Sequence, residues 1–412
     1  MTIRIPIECS ICHTKYILRC QCDHVMNMGE APIRVGCKNC RKIIRGKIGA
    51  EKYSFEEEQI VNSDSLFDPA ESIGVSTELP ITKGLYYQPT SMALLGPYME
   101  LLSYFDQTKI KNHSLRINSL VNDLIPSLPK IENLYNVSKS GNISAFNQYA
   151  EKEFSMKREE NVTSDLEMID GVINLIGHVF SVIKSKEYQV KCTKACILPL
   201  MDTLSNTSTQ TLKLMRTEIE TKILLENEVS TGINLCINFL KRITSLYPLM
   251  LLLENEDFTE EHNGELFLST TEYGEIKTLF ADNFEFLSRM SILIVGLQNI
   301  KDRNDYNLFP TSCDFAKYIE MDNGLKNKQI PNYPNLDKYY LRTLDNQIRN
   351  GINHVKTDYD SFTQIIKYYP FAKRPTDFLQ ISLIDFSFII LQQNIKVYES
   401  LCVLANFLSK TK

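Results

Sequence analysis

Glycine is scarce in this chain of 412 residues, and no two of its 16 glycines are separated by a single residue. With no Gly-Lys-Ser/Thr either, the sequence excludes the common Rossmann and P-loop nucleotide sites, whose phosphate cradles need glycine at those spacings. The absence of Gly-x-Ser-x-Gly removes the usual serine-hydrolase elbow. A basic excess is also missing: 45 Lys and Arg stand against 50 Asp and Glu, a net charge of −5. That argues against charge-driven nucleic-acid binding over the whole surface. Long greasy runs are absent too. Leu249 to Leu253 ends at Glu254 and Phe386 to Leu391 ends at Gln392, and the residues after Met1 lack the apolar core of a signal peptide. The expectation is a cytoplasmic protein with no membrane partner.

What is present is ordinary globular material, 43% hydrophobic and 23% charged, enough for two or three buried cores. The charge is uneven. Residues 1 to 50 hold nine basic against three acidic side chains, a local charge of +6, which leaves −11 for the rest. The same segment holds six of the 11 cysteines, as Cys9-x2-Cys12, Cys20-x-Cys22 and Cys37-x2-Cys40. In a reducing compartment such a concentration points to metal rather than disulfides. Two Cys-x2-Cys turns, each offering two sulfurs, fit a tetrahedral thiolate site. Between and after them, Tyr16 to Leu18, Ile33 to Val35 and Ile43-Ile44 are β-prone. The segment resembles a zinc ribbon, with Cys9, Cys12, Cys37 and Cys40 as ligands of a structural Zn2+. Cys20 and Cys22 are strand residues or an accessory site. Four thiolates close the coordination shell, so the metal has no catalytic part. Arg34, Lys38, Arg41, Lys42, Arg45 and Lys47 make the ribbon either a phosphate-binding surface or a solvated structural one.

Residues 51–90 carry acidic and Pro/Ser/Asn clusters without a sustained period and read as a linker or extended arm. Residues 91–200 form a helical middle region, and 201–412 a helical domain. Ser164 and Glu167 make a capping box ahead of an apolar row through Ile183. Leu212, Met215 and Ile219, then Ile233, Cys236 and Phe239, repeat the helical spacing. A long apolar helix is expected from an N-cap at Thr376 to about Leu408. The fold class is therefore mainly α, with a small amino-terminal β ribbon. Cys192, Cys196, Cys236, Cys313 and Cys402 read as core residues.

One run carries chemistry. Leu341, Leu344, Ile348 and Ile352 mark a buried face, so Arg349, Asn350 and His354 project away from it. The run Arg349-Asn350-Gly351-Ile352-Asn353-His354 matches the Arg-x4-6-His motif of HEPN (higher eukaryotes and prokaryotes nucleotide-binding) domains, in the form with a polar residue after the arginine. A Tyr- and Asp-rich hairpin, Tyr359 to Tyr369, follows, and then the apolar helix. The segment resembles the HEPN ribonucleases of abortive-infection and toxin systems, over roughly residues 200 to 412. It departs from them at Gly351, where alanine is usual.

The resemblance implies a helical bundle with a short β-hairpin after the motif, and a metal-independent endoribonuclease. In that chemistry an imidazole near neutrality moves the protons of the attacking 2′-OH and the leaving 5′-oxygen, and a guanidinium holds the phosphorane. Arg349, Asn350 and His354 take those roles. Arg349 and His354 lie about 140° apart around a helix, so two copies in a homodimer are expected to build one cleft. Lys356, Tyr359 and Lys367 are expected RNA contacts, with Tyr368 and Tyr369 nearby. The expected partners are RNA, a second copy, and a phage-derived trigger or antitoxin. Two alternatives stand beside this reading: a non-catalytic HEPN scaffold, and a zinc-ribbon nucleic-acid-binding regulator.

Overall fold

A computed structural model describes residues 2–21, 30–49, 52–61, 71–89, 101–102, 104–155, 161–254, 265–340, 342–353, 357–371, 373–374 and 376–412. Two compact units divide it. The first collects Met1–Asn122, Arg242–Phe280 and Gln347–Leu391; the second collects Asp123–Lys241, Ala281–Asn346 and Gln392–Lys412. These units cut the chain differently from the expected segments 1–50, 51–90, 91–200 and 201–412. Local composition marks where a segment changes character, but it carries no information about a chain that returns twice to its first unit.

The strands all lie in the first unit. β1 (Thr2–Glu8) pairs antiparallel with β2 (Lys15–Gln21), and β3 (Ala31–Gly36) with β4 (Ile43–Ile48). Their apolar residues alternate, burying Ile5 and Ile7, Tyr16, Leu18 and Cys20, Ile33 and Val35, and Ile44 and Ile48. Period-two burial is what a half-covered sheet requires. The ribbon does not stop at residue 50. β5 (Tyr53–Phe55) joins β4, and β6 (Gln59–Ile60) joins β1. β7 (Glu71–Ser76) lies parallel to β2, with β9 (Tyr87–Pro89) antiparallel on its far side. Residues expected as a linker thus complete a five-stranded sheet of order β6-β1-β2-β7-β9. Ser72 to Ser76 are buried, and Ile73 and Val75 alternate with Ser72, Gly74 and Ser76, a strand pattern too short and too polar to stand out from the clusters before it.

β8 (Ile81–Thr82) pairs with β10 (Leu266–Phe267). Near the carboxy end, β11 (Thr357–Asp360), β12 (Ile365–Tyr368) and β13 (Leu379–Ser382) form an antiparallel sheet. The expected hairpin is therefore present, with a third strand added. That strand displaces the start of the last helix. The helix runs Leu383–Thr411, and the Ser382 hydroxyl accepts from Asp385 N at 3.1 Å in the cap position given above to Thr376.

The second unit is helical. In Asp165–Ile183 the Ser164 hydroxyl accepts from Glu167 N, and the Glu167 carboxylate accepts from Thr163, so the capping-box signature reads correctly. Met168, Val172, Ile176, Val179, Phe180 and Ile183 are buried. This helix is also long and apolar enough to cross a membrane. Leu212, Met215, Ile219, Ile233, Cys236 and Phe239 are core residues as their spacing predicts. So are Cys196 and Cys236, whereas Cys192, Cys313 and Cys402 are half-buried.

A charged cluster sits inside this core. Glu399, 2% exposed, accepts from Lys184 at 3.2 Å, Thr193 at 2.5 Å and Tyr339 at 2.6 Å. Three donors satisfy the carboxylate where water cannot.

Candidate metal centre and motif site

Each expected metal ligand sits in the turn of a hairpin. Cys9 and Cys12 lie between β1 and β2; Cys37 and Cys40 lie between β3 and β4. The two turns are built alike. In the first, Cys9 N donates to Thr14 O and His13 N to Cys9 O, both at 3.0 Å. In the second, Cys37 N donates to Lys42 O at 2.8 Å and Arg41 N to Cys37 O at 3.0 Å. The residue after each second cysteine is left-handed, His13 at φ +58° and Arg41 at φ +62°.

The four sulfurs lie within 4.8 Å of one another. Across the two turns, Cys9 and Cys40 are 3.6 Å apart and Cys12 and Cys37 are 3.5 Å apart. A zinc ion about 2.3 Å from each sulfur sets tetrahedral S–S edges of about 3.8 Å, so the cluster fits a tetrathiolate zinc site. Thiols this close compete for negative charge. Burial works against the thiolates of Cys9, Cys12 and Cys40, yet the Thr14 hydroxyl and backbone and the neighbouring thiols pull Cys12 down to about 6. Cys40, raised by burial and by its sulfur neighbours, goes up to about 12. A dication removes that competition. Around the ligands, Tyr16 OH lies 3.1 Å from Cys37 Sγ and accepts from Lys38 N, an outer contact that fixes one ligand. Cys20 is a buried strand residue; Cys22 lies outside the described residues.

Six of the nine cations of residues 1–50 face carboxylates within the first unit. Arg45 makes two 2.8 Å bonds to Glu272, and Arg34 holds Glu275 at 2.8 Å. Lys38 meets Glu71 at 2.6 Å, Lys42 meets Glu58 at 2.8 Å and Glu57, and Lys47 meets Glu30 at 3.4 Å. Arg41 faces Asp360 at 3.9 Å. All six cations named in the sequence reading have carboxylate neighbours, so of its two forms the solvated structural surface is the one these contacts favour.

The motif lies on the helix Asn346–Asn353. Its buried face holds Ile348 and Gly351, and Arg349 and Asn350 are half-buried beside them, with Arg349 Nη1 donating to Asn350 Oδ1 at 3.3 Å. The apolar row does not make one continuous helix, because Arg342 is left-handed at φ +61° and Leu344 lies in the turn before Asn346. His354 and Lys356 lie outside the described residues. Tyr359 and Lys367 are separated by the sheet. Their register puts Tyr359 with Ile366 and Ile381 on one face, and Lys367 with Asp358 and Gln380 on the other. Tyr359 packs 5.8 Å from the Tyr273 ring, while exposed Lys367 lies 5.0 Å over Phe378. Tyr369 bonds Asp358 at 2.9 Å.

Gly351 meets the hairpin. A Cβ there would lie 2.7 Å from Tyr368 Cδ2 and 2.8 Å from its Cβ, so only glycine lets the tyrosine close over the helix. His113, in the polar run Lys111-Asn112-His113-Ser114, carries no sequence signal for burial but is 1% exposed, with Nε2 2.7 Å from Glu78 O. No family model matches the chain, and neither does any curated protein or solved structure.

Proposed function

We propose that the protein is a metal-independent endoribonuclease of the HEPN type, in which Arg349, Asn350 and His354 act on RNA and a structural zinc ribbon supports the unit that carries them. The observation that carries this reading is the paired Arg349 and Asn350 on a helix seated, through Gly351, against the hairpin that follows it. Helix, hairpin and long apolar helix follow in the order that the motif's resemblance implies.

In this reading Arg349 holds the non-bridging phosphate oxygens as negative charge builds, and Asn350 fixes the guanidinium or a phosphate oxygen. His354 takes the 2′-OH proton and returns one to the leaving 5′-oxygen, giving a 2′,3′-cyclic phosphate and a 5′-hydroxyl. Two copies supply the convergent groups across a two-fold axis. The role proposed for this activity is growth arrest during phage infection, answering to a trigger or an antitoxin, in the cytoplasm. The rival reading, a regulator that grips nucleic acid with its ribbon, is weakened because six of the ribbon's cations already face carboxylates.

The test is cleavage of tRNA and mRNA by the full chain without added divalent ions, with bound metal counted after the reaction. Wild type is expected to release cyclic-phosphate ends, and His354→Ala and Arg349→Ala to lose at least about a hundredfold in rate. Equal cleavage by the variants, or none by wild type even with infected-cell extract, overturns the proposal.

A further inference from the structure

The second cysteine turn is attached to the hairpin that seats the motif helix, and every contact lies in the first unit. Arg41 O accepts from the Ser361 hydroxyl at 2.6 Å, and the Arg41 guanidinium stacks 4.2 Å from the centre of the Phe362 ring. On the other side of the turn, Gly36 has no room for a side chain, because a Cβ would run into the backbone of Ser361 and Phe362. Gly36 is itself held, its N donating to Tyr86 OH at 3.2 Å and its carbonyl accepting from Tyr87 OH. The Tyr87 ring lies 4.5 Å from Phe362. Ser361 and Phe362 therefore rest on the backbone of the residues flanking Cys37 and Cys40. Asp360 Oδ1 pre-forms that turn by accepting from Phe362 N at 2.9 Å. At the far end of β12, Tyr368 covers Gly351.

We infer that metal binding at Cys9, Cys12, Cys37 and Cys40 is a positioning device for the Arg349–Asn350 helix, acting through Arg41 and Gly36 on residues 360–363 and through β12 on Gly351. The inference rests on the proposed function only for its consequence in RNA cleavage; the mechanical link is independent of it. The reason is local. Arg41 sits in a left-handed conformation that a non-glycine residue avoids, and the Cys37 turn is closed by two backbone hydrogen bonds, with its sulfurs within 4.8 Å of those of the first turn. A bound dication holds the sulfurs, and with them the carbonyl and guanidinium that grip the hairpin. The hairpin is also anchored from a second side, where Gln364 accepts from Leu268 N at 2.9 Å and its carbonyl accepts from Leu383 N at 2.7 Å. Those two bonds go to Leu268 and Leu383, and only the Gln364 amide's longer 3.4 Å contact with Tyr86 OH leads back to Gly36, so metal loss should loosen residues 360–363 and the motif helix without dissolving the sheet.

Amide hydrogen exchange tests the link in the full, reduced chain, with zinc bound, after chelation, and after zinc is restored. Cobalt substitution, with its thiolate absorption, reports site occupancy. Residues 346–353 and 360–368 are expected to exchange about tenfold faster without metal, with Glu71–Ser76 little changed and recovery on reloading. A double variant, Ser361→Ala with Phe362→Ala, should keep one ion per chain yet exchange fast at 346–353 whether loaded or stripped. The inference is overturned if 346–353 exchanges equally in both states of the wild type, if Glu71–Ser76 opens to the same extent, or if the double variant behaves as wild type. Failure to cut RNA with this pattern intact overturns only the enzyme reading.

Discussion

Gly351 lies beneath the ring of Tyr368, close enough that a Cβ would stand 2.7 Å from Cδ2. Helix propensity alone favours alanine over glycine by about 1 kcal/mol in a helix interior. Here packing reverses that sign. Gly351→Ala is expected to lower stability by about 1–3 kcal/mol, because the clash reaches Tyr368 Cβ and cannot be relieved by turning the ring. Denaturant melts of the variant check this, and a gain in stability would show that the hairpin yields.

The sulfur geometry predicts about one zinc per chain, bound through four thiolates. Cys37→Ser with Cys40→Ser should hold close to none. Mass spectrometry under native conditions counts the ion directly. Retention of a full equivalent by the double variant would move the site elsewhere.

Arg45 and Glu272 form a bidentate pair that is structural in this reading. Arg45→Ala should cost about 1 kcal/mol of stability, since Glu272 is 12% exposed and loses its closer partner. It should leave the salt dependence of RNA binding unaltered. A drop of about one in the slope of log affinity against log salt would instead mark a phosphate contact.

Glu399 takes three donors, Lys184, Thr193 and Tyr339, inside the helical core. Glu399→Leu strands Lys184, whose side chain is 10% exposed, in the helical core and is expected to cost roughly 3–5 kcal/mol. A paired change, Glu399→Leu with Lys184→Met, should recover much of that loss in thermal melts. No recovery would mean that packing, rather than the unpaired ammonium, sets the cost.

The cysteine site was legible because two Cys-x2-Cys turns encode their own geometry; each needs only its neighbours to form. The capping box at Ser164 was legible for the same reason. The charge partners were not. Arg45 finds Glu272 and Arg34 finds Glu275 more than two hundred residues away, a relation that no local pattern carries. Strand β7 was hidden by its serines and glycine, and the start of the last helix by a strand whose register only β12 supplies. Gly351 looked like a weakness in the motif helix. It is a contact that depends on Tyr368, 17 positions further on.

The first unit is assembled from three stretches of chain, ending at Leu391. During synthesis the cysteine turns emerge long before Ser361 and Phe362. At about 5–20 residues per second the delay is tens of seconds. Metal capture can therefore precede hairpin docking, so the loaded turn would serve as a template waiting for its last segment, and zinc supply during translation would set how firmly residues 360–363 and the motif helix are seated.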